Sequence, residues 1–180
     1  SELNLSYSKV NDSGVMLLSS NTALTKLNLD SRLITDTGLE WIGSLTGLMH
    51  LDLFGAKVSN RGTVYLKNLK ALLSLELCGG GITDLTQISN LTGLTSLNLS
   101  QNCRLSDTAL QNLSPLTGLR SLNLTHTRVT SNGMPHLQSL VALSSLALYG
   151  CKVSPIAINK LRLCCTRLQV IGVDEAASRK

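Results

Sequence analysis

Aromatic residues are nearly missing from this chain, which has one Phe, one Trp and three Tyr in 180 residues. With 43% of residues hydrophobic, the core must be built from one small repeated shape, leucine, without large anchors. Charged residues are also sparse, at 15%. The net charge is +5, but the bases are scattered, and no run of five to eight marks a nucleic-acid site. No nucleic-acid partner is therefore expected. No stretch approaches the roughly 18 consecutive apolar residues of a membrane span, so no membrane partner is expected either. A Cys-x-x-Cys pattern is absent, which argues against a metal site and leaves no cofactor in view. Five cysteines (Cys78, Cys103, Cys151, Cys164, Cys165) form no framework of pairs, and this favours reduced thiols in a cytoplasmic or nuclear protein. Six Asn-x-Ser/Thr sequons, at Asn4, Asn11, Asn90, Asn98, Asn112 and Asn123, stand against that reading. Composition accounts for most of them, and three share one repeat position.

What is present is repetition. A Leu-x-Leu core recurs from Leu3, Leu27, Leu51, Leu75, Leu97, Leu122 and Leu146, with a degenerate "IGV" from Ile171. The successive offsets are 24, 24, 24, 22, 25, 24 and 25 residues. A further Leu precedes most copies by three residues, as Leu24, Leu48 and Leu72 do, giving L-x-x-L-x-L, the leucine-rich repeat. The second half of each unit carries a Ser/Thr-Asp/Asn pair such as Thr35-Asp36 or Ser106-Asp107, residue types that cap helices. An inward helical stripe follows, as in Leu39, Ile42, Leu45 and Leu110, Leu113, Leu116.

One such unit cannot bury its own apolar face, so neighbours must stack. The expected fold is α/β: a right-handed leucine-rich repeat solenoid, a horseshoe with about eight parallel strands on the concave side and short outer helices. Residues 1–180 read as one domain of about eight repeats, with 174–180 as a polar C-terminal tail. Since the first strand begins at residue 2 or 3 with no cap before it, upstream repeats are expected in a longer parent chain.

The triplet Gly79-Gly80-Gly81, after a strand and before a helix-like segment, resembles a phosphate-cradling loop at first sight. In register, however, it fills the turn positions held elsewhere by Ser31 to Leu33, Gly55 to Lys57 and Gly150 to Lys152. No Lys-Ser or Lys-Thr follows, and Asp84 at the helix start would repel phosphate. The glycines read as a strand exit. That unit is two residues short on its outer side, so a shorter helix or a 3₁₀ turn is expected there.

The segments "ITDTGL" and "LSDTAL", with Cys165-Thr166-Arg167-Leu168, resemble the cysteine-containing leucine-rich repeats of F-box proteins and related intracellular, often plant, proteins. The resemblance spans essentially the whole chain. It implies a substrate-receptor arm of a ubiquitin ligase as one function, although no F-box lies in these residues. That family's turn Cys or Asn maps to Asn102 and Cys151, whereas Ser8, Arg32, Ala56, Gly80 and Thr127 hold the place in other units.

Strand alternation sends the x positions of L-x-x-L-x-L outward. This places Asp52, Glu76, Asn98 and Asn123 on the open face, with Phe54, Cys78 and Tyr149 two residues beyond, and His50 and Arg120 nearby. Those nine residues are the candidate binding site. Phe54 and Tyr149 with Arg120 are the residue types that anchor interfaces, although a single exposed Phe can also occur without purpose. The Asn column reads as solvated strand surface, with bonding to a partner as the other option. Lys9, Lys57, Arg128 and Lys152, with Arg104, form a column beyond the strands, expected to pair weakly with Asp12, Asp107 and their equivalents.

No catalytic constellation is visible, so the chain reads as a non-enzyme. Cys78 and His50 stand on adjacent strands but four residues apart along them, and nearby Glu76 and Asp52 oppose a thiolate. The expected role is a monomeric module that binds another protein through its concave face, with no small-molecule ligand. A secreted recognition receptor is the remaining alternative.

Overall fold

Each Leu-x-Leu copy forms a three-residue strand. The structure, a computed structural model, describes residues 1–173; the expected 174–180 tail lies outside them. The strands are β1 (Glu2–Asn4), β2 (Lys26–Asn28), β3 (His50–Asp52), β4 (Ser74–Glu76), β5 (Ser96–Asn98), β6 (Ser121–Asn123), β7 (Ser145–Ala147) and β8 (Gln169–Ile171). They make one parallel sheet in sequence order, β1 through β8, with each central leucine opposite the next from Leu3 to Leu146. At about 4.8 Å per strand the open sheet is roughly 34 Å across. The leucines between Leu24 and Leu148 at these inward positions are almost fully buried, and together with the helix stripe they make one continuous core.

The outer side carries α1 (Asp12–Met16), α2 (Asp36–Ile42), α3 (Asn60–Thr63), α4 (Asp107–Leu110) and α5 (Pro155–Arg162), with 3₁₀ segments at Val64–Asn68, Gln111–Leu113 and Ser131–Leu137. The short fourth unit has only the 3₁₀ turn Ile88–Asn90, as its two missing residues require. Gly79 (φ +77°) occupies the same left-handed strand exit as Gly55 (+74°) and Gly150 (+73°). A Cβ on Gly80 would stand 2.7 Å from the Val58 carbonyl oxygen. The glycine triplet is a tight turn.

The N-caps are Asn11, Thr35 and Ser106, and the Asp that follows each of them joins its repeat to the next. Asp36 accepts from the Ser59 amide (2.7 Å) and hydroxyl (2.5 Å) of the next repeat, and Asp107 does the same for Thr130, both at 2.7 Å. Asp12 receives the Thr35 amide (2.9 Å) and hydroxyl (2.6 Å). This corrects the expectation that these carboxylates pair with the column of bases. Among the described residues the ion pair seen is Lys26–Glu2 at 3.6 Å. The clamp also explains a glycine spacing. Gly38, Gly62 and Gly133 lie under Asp12, Asp36 and Asp107, where a Cβ would collide with Oδ1. At the same place in the fifth unit stands Ala109, and Asp84 before it caps its own Thr86 amide (2.9 Å) instead of reaching Ser106.

Two registers differ from the sequence expectation. In the last unit Val170, not Ile171, pairs with Leu146 and faces the core, leaving Ile171 51% exposed. Gly172 (φ +86°), pressed against the Tyr149 backbone, absorbs the extra residue before Val173 turns inward. In the second unit Ser31, not Arg32, fills the inward turn position: it is buried and its hydroxyl donates to the Val10 carbonyl at 3.1 Å. A seryl hydroxyl can satisfy that carbonyl in little space, whereas a guanidinium would be buried without a counter-charge.

Candidate functional site

The concave face consists of parallel columns of side chains. Asn28, Asp52, Asn98 and Asn123 occupy the central column, and each Oδ1 accepts the backbone amide two residues on, at 2.9–3.0 Å. These are Asx turns, which bend the chain out of each strand. The Asn column is therefore structural on its Oδ1 side, and not plain solvated surface. Two lateral bonds tie it together: Asn28 donates to Asp52 Oδ2 (3.0 Å) and Asn98 donates to Glu76 Oε2 (2.7 Å). Asp52 is half-buried, and burial raises its carboxyl above the usual range, opposed by the Phe54 amide bond and reinforced by Asp30.

The next column runs Phe54, Cys78, Ser100, Thr125, Tyr149. Phe54 and Tyr149 are exposed, at 42% and 54%. Cys78 differs from expectation: it is buried, its thiol turned toward Glu76 Oε2 at 3.7 Å. Burial, with Glu76 and Asp52 adding to it against a bond from Ser100, pushes this thiol up to about 12. Cys78 therefore underlies the surface and presents no group to a partner. Alternation gave its side correctly, but depth depends on neighbours in adjacent repeats. His50 and Arg120 are exposed, while Glu76, Asn98 and Asn123 are half-buried. His50 lies opposite Ser74, so Cys78 is four residues farther along. Among the described residues no group of three His, Cys, Asp or Glu could hold a metal ion.

The aromatics sit four strands apart, about 19 Å at parallel-strand spacing, with small side chains between them. The surface is an open trough suited to another macromolecule, with polar groups held in fixed orientation by the Asx turns.

Sequence reasoning missed a second feature at the strand-exit rim. A groove of about 680 Å³ there is lined by Tyr7, Arg32, Leu33, Phe54 and Lys57 among others. Its signal was an aromatic, Tyr7, at the strand-exit position that Gly55, Gly79 and Gly150 fill elsewhere; the backbone there is left-handed (φ +57°), as it also is at Gln101 and His126.

A protein-family profile described as "Leucine Rich repeat" matches residues 1–19 and 90–114. Among solved structures, internalin C2 from Listeria monocytogenes is similar with a TM-score of 0.76 and 22% identity, over 96% of this chain and 70% of that one. The fold is the leucine-rich repeat solenoid. A second internalin of the same organism, inlF, gives a TM-score of 0.65 at 24% identity, over 94% of this chain and 52% of its own. A leucine-rich repeat protein from Leptospira interrogans gives 0.68 at 20%, over 93% of this chain and 42% of its own. The chain thus spans between about two fifths and seven tenths of these neighbours' lengths. No curated protein matches significantly. Leucine-rich repeat solenoids commonly serve as protein-binding scaffolds, and none of these matches indicates an enzyme family. They do not single out the F-box type.

Proposed function

We propose that this solenoid binds a partner protein across its concave sheet. The observation that carries the reading is the pair of exposed aromatics, Phe54 and Tyr149, at the two ends of a trough of small side chains. Exposed aromatics flanked by fixed polar groups are the usual anchors of an interface. His50, Asp52, Glu76, Asn98, Asn123 and Arg120 frame them, and the free faces of the Asn and acid side chains give the partner donors and acceptors in a set order. Phe54→Ala with Tyr149→Ala, checked for fold by circular dichroism, should remove a specific set of proteins from a proximity-labelling comparison with the wild type. An unchanged set would sink the concave reading.

A substrate-receptor arm of an F-box-type ligase is the more specific form of this proposal. It draws support from Cys165, fully buried with its thiol donating to the Leu140 carbonyl at 3.2 Å, as the Cys-x-x-Leu likeness implies. Cys78 and Cys165 both serve as small hydrogen-bonding core residues, which supports a reducing compartment, cytoplasmic or nuclear. A glycan found on Asn98 or Asn123 would move the protein outside and end that reading. We place the chain as a monomer, to be checked by light scattering against its 19.2 kDa mass.

A further inference from the structure

The rim beyond the strand exits carries its own pattern. Lys9, Lys57, Arg104, Arg128 and Lys152 recur there at one repeat position, and all are exposed. Their backbone is held in a second parallel ladder: the amides of Lys57, Arg128 and Lys152 donate to the carbonyls of Ile34, Leu105 and Val129 one repeat back, at 2.8, 2.8 and 3.2 Å. The cations therefore stand on a regular support: Arg104, Arg128 and Lys152 lie in adjacent repeats about 5 Å apart, while Leu33 and Gly81 interrupt the row on either side of Lys57 and widen the spacing there to about 10 Å. The aspartates that follow this row three residues on are occupied. Asp12, Asp36 and Asp107 each give both oxygens to the next repeat. Among the described residues none of the five makes an ion pair.

At Lys57 this row meets the groove of about 680 Å³, which runs along the strand exits of the first five repeats from Tyr7 to Gln101. Arg32, displaced outward because Ser31 took the buried turn position, lines it together with Lys57. Tyr7 (92% exposed), Leu33 (50%) and Phe54 (42%) supply apolar surface, and Asp30 is the one carboxylate in its lining. Apolar surface at one end and a line of unpaired cations leading away from it call for a ligand with the opposite order of charges.

We propose that the rim binds an extended acidic peptide segment of a partner protein, with one apolar side chain against Tyr7 and Phe54 and carboxylates meeting Arg32, Lys57 and the cations beyond. A peptide fits better than a nucleic acid because it can seat an apolar side chain on Tyr7, Leu33 and Phe54 and set its carboxylates only where Arg32 and Lys57 stand, whereas a polyphosphate backbone carries a charge at every residue and must bring one against Asp30. The proposal rests on the protein-binding reading for the class of partner, and its surface adjoins the concave trough and shares Phe54 with it.

The test is selection of random 12-residue peptides displayed on phage against the whole chain, beside an Arg32→Glu, Lys57→Glu variant with unchanged circular dichroism. Selected peptides should be enriched in Asp and Glu around an aromatic or aliphatic residue. Synthesised with a fluorescein label, they should lose about tenfold or more in affinity on the charge-reversed variant, and weaken as salt rises. Tyr149→Ala should change their binding by less than about twofold, since that residue belongs to the concave trough alone. Because Phe54 belongs to both surfaces, the charge reversal at Arg32 and Lys57 reports on the rim and Tyr149→Ala alone on the trough, so that either can fail while the other stands. Peptides with no acidic enrichment, affinity that survives the charge reversal, or tighter binding of a labelled 12-nucleotide single-stranded DNA would each overturn the proposal.

Discussion

Two ladders of Asp and Asn run the length of this solenoid, and they use the same side chain differently. On the concave face Asn28, Asp52, Asn98 and Asn123 reach two residues ahead within their own turn. On the outer side Asp12, Asp36 and Asp107 reach into the next repeat, 23 residues away. The inner ladder shapes a loop and keeps part of each side chain free. The outer one spends both oxygens on holding neighbours together. Position relative to the stacking axis, and not residue type, decides whether such a side chain is a local staple, a joint or a recognition group.

The largest expected effect separates the ladders. Asp36→Ala removes two bonds to a carboxylate and leaves the half-buried Ser59 amide without a partner, so a loss of about 3 kcal/mol is expected in urea unfolding. Gly62→Ala, which drives a Cβ into Asp36, should fall in the same range. Asn123→Ala removes one turn bond and should be nearer 1 kcal/mol. Equal losses for Asp36→Ala and Asn123→Ala would erase the distinction.

A smaller effect tests why the outer ladder breaks at Asp84. Asp84→Ala alone removes its bonds to the Thr86 amide and hydroxyl and should cost about 1 kcal/mol. In an Ala109→Gly background, where the clamp can form, the same change should have a larger effect. A double-mutant cycle should then give a coupling of about 1 kcal/mol, and no coupling would show that Ala109 is not what blocks the clamp.

The smallest effect concerns pH and the inner ladder. Asp52 has a native carboxyl above its unfolded value, so the native state holds the proton more readily, and acidification favours folding through this group. The stability of wild type relative to Asp52→Asn should therefore rise as pH falls from about 7 into the carboxylate range near 4. A flat difference would mean that burial does not disfavour the charge. Thiol labelling at neutral pH refines the same face: N-ethylmaleimide should modify exposed Cys103 and Cys164 first and leave buried Cys78 until the chain unfolds.

The spacing of Leu27, Leu51, Leu75, Leu97, Leu122 and Leu146 was enough to read the sheet, its order and its inward face, because alternation and a near-constant period leave one way to stack. The shortened fourth unit was legible for the same reason. Less was legible at the surface. The buried Cys78 thiol meets Glu76 of its own repeat and Ser100 of the next, and its own repeat does not encode the second of these. The choice of Ser31 over Arg32 for the turn, and of Val170 over Ile171 for the core, turned on one-residue slips that composition alone does not resolve. The candidate concave residues were placed on the correct face with Cys78 as the exception in depth, whereas the rim groove needed five loops in their folded arrangement.

The Asp–Gly clamp also bears on how such a chain can evolve. Repeats are commonly pictured as interchangeable bricks, yet here a unit that carries a clamping Asp requires a Gly in the unit that follows, as Asp12 with Gly38, Asp36 with Gly62 and Asp107 with Gly133 show. A unit that carries both residues, as the second does with Asp36 and Gly38, can be duplicated without breaking that agreement, whereas duplicating the fifth would set the clamping Asp107 against Ala109. Recombination is therefore tolerated best at the border after Asp84, where no clamp has to be matched, and the units on either side of it can be inherited as blocks.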